Sequence, residues 1–192
     1  MQEAGLDYSP PTTYAKIDRA RAAKIAGAFK RMPHNPADPG TVAAYKAMIN
    51  ETLAQYQAIK ATGLRVEFMK KGMPDPYEPA GPRAAIMDVV DNNHLWVYPT
   101  DDGFGSDANF DPKDNPLLAY TDEVIDGKRA RANDIFRVVH DYFGHVKDGV
   151  GFRAEGEENA WRSHSAMYSP LARKAMTTET RGQNSWLNFG PH

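Results

Sequence analysis

The sequence predicts a mainly helical α+β domain with a few short strands. Three observations lead there. Apolar residues recur every three or four positions over several long stretches, two short stretches pattern as strands, and Pro/Gly clusters cut the chain between them. With 192 residues and 41% hydrophobic side chains, the chain can bury one core, so residues 1–192 read as a single domain.

Residues 1–12 end in Ser9-Pro10-Pro11 and read as an extended arm. Residues 13–131 read as a helical scaffold with short strands and a long loop. From Thr13 to about Met32, Tyr14, Ile17, Ile25, Phe29 and Met32 fall near one helix face, until Pro33, Pro36 and Pro39-Gly40 break the pattern. The second helix is the clearest: Val42, Tyr45, Met48, Ile49, Leu53, Tyr56 and Ile59 repeat at helical spacing, and Gly63 suits the position just past its end. Neither helix clusters His or carboxylates on its apolar face, so both read as scaffold. Residues 64–69 (LRVEFM) alternate as a strand and Lys70–Pro82 is a loop. Residues 84–90 fit helix or strand, and 94–98 (HLWVY) read as a strand. Pro99 to about Arg131 reads mostly as loop, long enough to be functional and to cover a site.

Residues 132–192 hold the densest chemistry and read as a metal-binding core. Asn133 can cap a helix striped by Ile135, Val139, Tyr142 and Val146. Helices are expected over 155–167 and 169–178, with Pro170 in a first turn. Gly182 and Gly190-Pro191 punctuate the end. The chain stops at Pro191-His192 without an obvious cap, as a truncated chain would.

Composition removes several function classes. Twenty-three basic against twenty-five acidic residues leave no electrostatic footprint for nucleic acid or an anionic membrane. The cluster Lys128, Arg129 and Arg131 reads as a solvated loop ahead of a phosphate site. The absence of cysteine excludes disulfides, thiolate metal sites and Cys nucleophiles, so any metal must be held by His and carboxylates. No signal pattern opens the chain and no apolar run has the length of a membrane span, which points to a soluble cytoplasmic protein. P-loop, dinucleotide and G-x-S-x-G motifs are absent, and the aspartates of DDGFGSD lack EF-hand spacing.

His140, His145, His164 and, less strongly, His94 stand out, with Asp141, Glu155, Glu157, Glu158 and Glu179 nearby in sequence. Imidazole and carboxylate suit Fe(II), Mn(II) and Zn(II), and two His with one carboxylate leave open positions for O₂ and a substrate. His140 and His145 are five residues apart. On an ideal helix that separates them by roughly 140°, unlike the four-residue spacing of HExxH. The pair works only if the helix ends or distorts between them, which Gly144 permits. The competing reading is a half-buried His140 and a helix-terminal His145 favoured by the macrodipole.

The segment His140-Asp141-Tyr142-Phe143-Gly144-His145-Val146 resembles the H-E-x-x-G-H-V metal-binding region of the pterin-dependent aromatic amino acid hydroxylases. The order of later features is similar too: Gly151-Phe152-Arg153 leads into EGEENAW, then TTETRGQ, then NSWLNFG. The resemblance covers roughly residues 133–190. It implies a hydroxylase-like catalytic core in which His140, His145 and Glu179 hold Fe(II), with O₂ and a small aromatic or amino-acid-like substrate on the open face; Zn or Mn are alternatives. Asp141 departs from the family's Glu. No upstream stretch matches the pterin-contacting loops, and none of Arg129, Arg131 or Arg137 matches the motif of the family's carboxylate-binding arginine. Neither the pterin nor the family's particular substrate therefore carries over. A weaker similarity to uncharacterised proteins of tailed phages and bacteria implies no activity.

In GEENAWRSH, Glu157 and His164 are seven apart and share a helix face. Glu157 or Glu158 can orient a metal-bound imidazole or act as acid/base, can belong to a solvated helix start, or, least favoured, can bind metal directly. Glu158 can also pair with Arg162. Asp141 and Glu158 are expected just behind the ligands. His164 as a ligand would give a three-His or dinuclear site, but the di-iron pattern needs Glu-x-x-His, and Trp161 occupies that position. Arg181 can hold a substrate carboxylate or phosphate, or form an ordinary ion pair. Three functions follow: an Fe(II) oxygenase or hydroxylase, a metal-dependent hydrolase with Glu157 or Glu158 as base, and a non-enzymatic structural or interaction protein, a viral one included. Oligomeric state is not legible.

Overall fold

A computed structural model describes residues 6, 8–78, 80–103 and 111–191. Part of the expected arm, and Gly105 within DDGFGSD, lie outside the described residues. Among the described residues the chain is mixed α and β, with helices dominating and four short strands.

Helix α1 (Arg19–Arg31) starts six residues later than its periodicity suggests. Residues before it stay extended because Asn159 bonds both backbone groups of Ala15, accepting from its N–H at 2.7 Å and donating to its carbonyl at 2.8 Å. Asp18 then caps the helix, accepting from the Arg21 N–H. Helix α2 (Pro39–Ala61) opens with Asp38 as cap and Pro39 in its first turn, and buries Met48, Tyr56 and Ile59 together with the polar Thr52 and Gln55.

Strands β1 (Arg65–Phe68) and β2 (His94–Val97) pair in parallel, from Arg65 opposite His94 to Phe68 opposite Val97. Helix α3 (Pro82–Asn92) makes the crossover and resolves the ambiguous 84–90 stretch as helix. After the short α4 (Thr100–Gly103), the region read as loop contains a 3₁₀ turn (Pro116–Leu118) and an antiparallel hairpin. The hairpin strands are β3 (Tyr120–Ile125) and β4 (Lys128–Arg131). Asp126 and Gly127 join them, both at positive φ. An Asp-Gly pair between strand-like runs is a hairpin signal, because both turn positions need φ > 0. It went unread. The expected basic loop is thus β4, where Arg131 pairs with Asp101 and lies against the Tyr120 ring.

Helix α5 (Ala132–His140) begins where Asp134 accepts from the Arg131 N–H, so the cap falls ahead of Asn133. It does not stop at His140 but continues into a π-helical turn, Asp141–Val146. Helix α6 (Ala154–Ala166) follows. Helix α7 (Ala172–Thr177) runs through a second π-helical turn, Thr178–Gly182, into α8 (Gln183–Phe189). Gly182 therefore lies inside a continuous helix instead of ending one. Its hydrogen side faces Phe29 of α1, where an added Cβ would come within 2.8 Å of the ring.

Two apolar clusters share α5. Ile135, Val138, Val139, Tyr142 and Phe143 pack with Tyr56, Ile59, Leu95 and Val97. Ala132 and Phe136 pack with Met48, Tyr168, Ala172 and Met176. Tyr8 ties the arm to the first cluster, its ring 5.7 Å from that of Phe143 and its hydroxyl donating to Asp148 at 2.7 Å. His140 therefore sits at the end of a helix clamped from both sides, facing α6.

Candidate metal centre

The π turn answers the spacing problem. Its hydrogen bonds run from residue i+5 to residue i, as from the Lys147 N–H to the Tyr142 carbonyl at 2.9 Å, and residues five apart then stack on one face. His140 and His145 consequently meet edge to face with ring centroids 5.0 Å apart. Gly144 contributes by proximity, not by ending the helix: a Cβ there would lie 3.0 Å from Cβ of Ala160, so its absence lets the turn lie against α6.

On α6, one turn in, Glu157 faces both rings. His140 Nε2 stands 3.4 Å from one carboxylate oxygen and His145 Nε2 3.4 Å from the other. Ligand atoms offered by the three residues lie within 4.8 Å of one another. A separation of 3.4 Å is long for an N–H···O hydrogen bond. It matches neighbouring ligands about 2.1 Å from one tetrahedral ion, which stand about 3.4 Å apart.

The ring nitrogens facing away from Glu157 are committed. His145 Nδ1 lies 3.1 Å from the carbonyl of Gly151 and 3.4 Å from that of Val150. Carbonyls only accept, so Nδ1 always carries a proton, and in the neutral ring Nε2 is the lone pair. That Nε2 is buried without a hydrogen-bond partner, the situation a metal ion relieves. His140 Nδ1 lies 3.0 Å from Nδ1 of His164, whose Nε2 lies 2.9 Å from Oε1 of Gln55.

Gly156 makes the arrangement sterically possible. A Cβ there would fall 1.6 Å from the Gly151 carbonyl oxygen, the oxygen that holds His145. Phe152 closes the outer side of His145 by stacking at 4.5 Å.

Electrostatics distinguish the acids. Burial alone would raise the Glu157 pKa, but hydrogen bonding and charge from His140 and His145 outweigh it and hold the carboxyl well below its ordinary range. For His145, burial works against protonation, yet Glu157 and Asp141 together raise its pKa. His164 is pushed far down by burial and by the neighbouring imidazoles, and is neutral. Asp141 is raised, chiefly by burial, against the pull of His145, His140 and Arg137.

The group opens onto a cavity of about 830 Å³ whose walls include Phe136, Arg137, Asp141, Phe152, Arg153 and Glu179. Glu179 thus reaches the same cavity from the second π turn, but it is not in the group of three. Its carboxylate accepts from the Tyr45 hydroxyl and, at 2.6 Å, from the Gln183 amide. Burial raises its pKa, partly offset by those two donors.

Glu158 turns away from the histidines and forms a two-point ion pair with Arg181, not with Arg162. Arg181 also lies 4.0 Å over the Trp161 ring. His94 is remote from the group in hydrogen bonding, its Nδ1 2.7 Å from Asp88.

Sequence reasoning missed three residues that build the site. Gln55 was counted as scaffold because a lone amide in an amphipathic helix gives no pattern. Phe152 and Gly156 were passed over, although the run Gly151-Phe152-Arg153 within the hydroxylase-like order was a signal for the first.

Among the described residues no helix is long and apolar enough to cross a membrane. Comparison with protein-family models, with curated proteins and with solved structures returned no match, so the residues themselves carry the functional reading.

Proposed function

We propose that this protein is a mononuclear non-haem Fe(II) oxygenase whose metal is held by His140, His145 and Glu157. The observation that carries the reading is the commitment of both Nδ1 atoms elsewhere, which turns two Nε2 atoms toward one ionised carboxylate beside a cavity. Two imidazoles and one carboxylate with open positions are the donor set of Fe(II) oxygenases. Fe(II), when bound, would bind O₂ and relay electrons to it, all drawn from the substrate in a dioxygenation, or two from the substrate and two from an organic co-substrate in a hydroxylation.

The chain's own residues do the rest. Phe136 and Phe152 line the approach and keep water from the imidazoles. Arg137 and Arg153 offer positive charge to an acidic group on a small aromatic or amino-acid-like substrate. The hydroxylase resemblance would place Glu179 in the third ligand position; its engagement by Tyr45 and Gln183 favours Glu157 in that role.

Anaerobic loading with Fe(II) tests the proposal. One ion per chain, lost in His140→Ala and His145→Ala, followed by Fe-dependent O₂ uptake, is expected. Normal Fe(II) binding by both variants would end it.

A second reading is a metal-dependent hydrolase. Asp141 favours it, as a carboxyl of raised pKa lining the cavity beside the metal group and able to take a proton from water. Of the two bases considered from sequence, Glu157 faces the imidazoles and Glu158 is occupied by Arg181. Turnover with Zn(II) in the absence of O₂ would select hydrolysis. A melting temperature indifferent to chelators and to added metal would favour a non-enzymatic protein.

A further inference from the structure

We propose that Gln55 and His164 form a buried hydrogen-bond relay that sets which ring nitrogen of His140 carries the proton, making His164 a positioning residue for the metal group. The inference rests on reading His140, His145 and Glu157 as that group.

The two imidazoles are oriented by different means. His145 faces backbone carbonyls, which settle its tautomer without help. His140 faces another imidazole nitrogen at 3.0 Å, and a nitrogen–nitrogen contact leaves open which ring donates. The next link decides it. His164 Nε2 lies 2.9 Å from Gln55 Oε1, which can only accept. His164 therefore carries its proton on Nε2 and presents a lone pair at Nδ1. The shared proton then belongs to His140 Nδ1, and the His140 Nε2 lone pair points toward Glu157.

Turning the Gln55 amide over would reverse every bond. Gln55 would donate to His164 Nε2, His164 Nδ1–H would donate to His140, and His140 would offer N–H where a metal needs a lone pair. Metal on His140 and one amide orientation thus require each other, across two side chains from α6 and α2.

Two features of the core support a dedicated role. Gln55 is fully buried on the apolar face of α2, between turns carrying Met48, Thr52, Tyr56 and Ile59, and its Nε2 has no partner. A buried orphan donor is costly, and a leucine there would avoid the cost. His164, also fully buried, is held between the rings of Phe136, Phe143 and Tyr168, with centroids 6.0, 6.4 and 5.1 Å away. Its plane is fixed, as a relay requires. Partners behind a metal-bound histidine commonly change metal affinity by roughly 10–100-fold.

The direct test is nitrogen NMR on the full chain, labelled at histidine and loaded with Zn(II). The expected result is a proton on Nε2 of His164 and on Nδ1 of His140. A proton on His164 Nδ1 would overturn the relay. Zn(II) affinity supplies a second arm. His164→Leu should weaken binding roughly 10–100-fold, and His164→Asn, whose Oδ1 can accept near the position of Nδ1, should recover most of it. Gln55→Met, apolar and similar in size, should show a smaller loss in the same direction. If the parent binds one Zn(II) and His164→Leu matches it within about twofold, the relay fails and the metal group stands. A parent chain that binds no Zn(II) removes both.

Discussion

Among the described residues the chain uses two π-helical turns, and they do different work. In the first, Asp141–Val146, the wider turn brings His145 onto the face of His140, and both rings meet a carboxylate from a separate helix. In the second, Thr178–Gly182, the turn carries Glu179 to the wall of the same cavity, where a phenol and a carboxamide already satisfy it. Such turns are rare and cluster at functional positions because they redirect side chains without ending a helix. The contrast bears on which redirected side chain is left free to bind. What its other atoms touch decides whether a lone pair or a charge remains available.

The sharpest way to break the comparison is to neutralise each acid separately. Glu157→Gln should lower metal affinity by more than about 100-fold, beyond what an outer partner is worth. Glu179→Gln should change it by less than about tenfold. Competition titration with a chelating dye reads both, and a reversed order would move the third ligand to the second turn, as the hydroxylase resemblance implies.

Packing beside the imidazole pair and at the second turn separates next. Gly156→Ala places a Cβ 1.6 Å from backbone and should cost about 3 kcal/mol or more in denaturant unfolding, with loss of metal binding. Gly182→Ala meets only the edge of Phe29 at 2.8 Å and should cost about 1 kcal/mol, with binding retained. Equal costs would mean that the Gly151 carbonyl is free to move away from His145.

Acid should distinguish the metal-free from the loaded protein. The His145 pKa is raised in the fold. Without metal, its proton contributes stability that is fully present below pH of about 6.5 and is lost as pH rises through the raised value. The depressed pKa of Glu157 is the same interaction seen from the carboxylate and is not added to it. Metal must displace that proton, so affinity runs the other way, climbing by up to about tenfold per pH unit until His145 deprotonates unaided. Affinity independent of pH from 5 to about 8 would remove His145 from the ligand set.

The smallest effect belongs to the second turn. Tyr45→Phe removes one donor from Glu179 and should cost about 1 kcal/mol of stability, leaving metal affinity unchanged. A rise in affinity would show that the phenol was holding a competing ligand away.

Much of the fold was legible because it is written in local spacing. The apolar repeat from Val42 to Ile59 became α2 nearly as read, and LRVEFM and HLWVY became the parallel pair. The hairpin is equally local, written in Asp126-Gly127 within the stretch expected as loop. The late start of α1 could not be read, because Asn159, far along the chain, holds Ala15 extended. His140 and His145 were legible as a pair by type, and the condition on them, a distorted helix, was legible too.

Composition and periodicity alone therefore determined a helical domain with short strands, the exclusion of thiolate from any metal site, and the two imidazoles to watch. Tertiary structure decided the form of the distortion, which carboxylate faces both rings, and that a glutamine on a scaffold helix reaches the back of the site. The reason is range. Spacing along a chain reports which side chains share a face of one element, whereas ligation and tautomer depend on groups from α2, α6 and the π turn meeting within hydrogen-bond distance. Those approaches are set by clefts such as the one Gly156 leaves open for a carbonyl, and no local pattern encodes them.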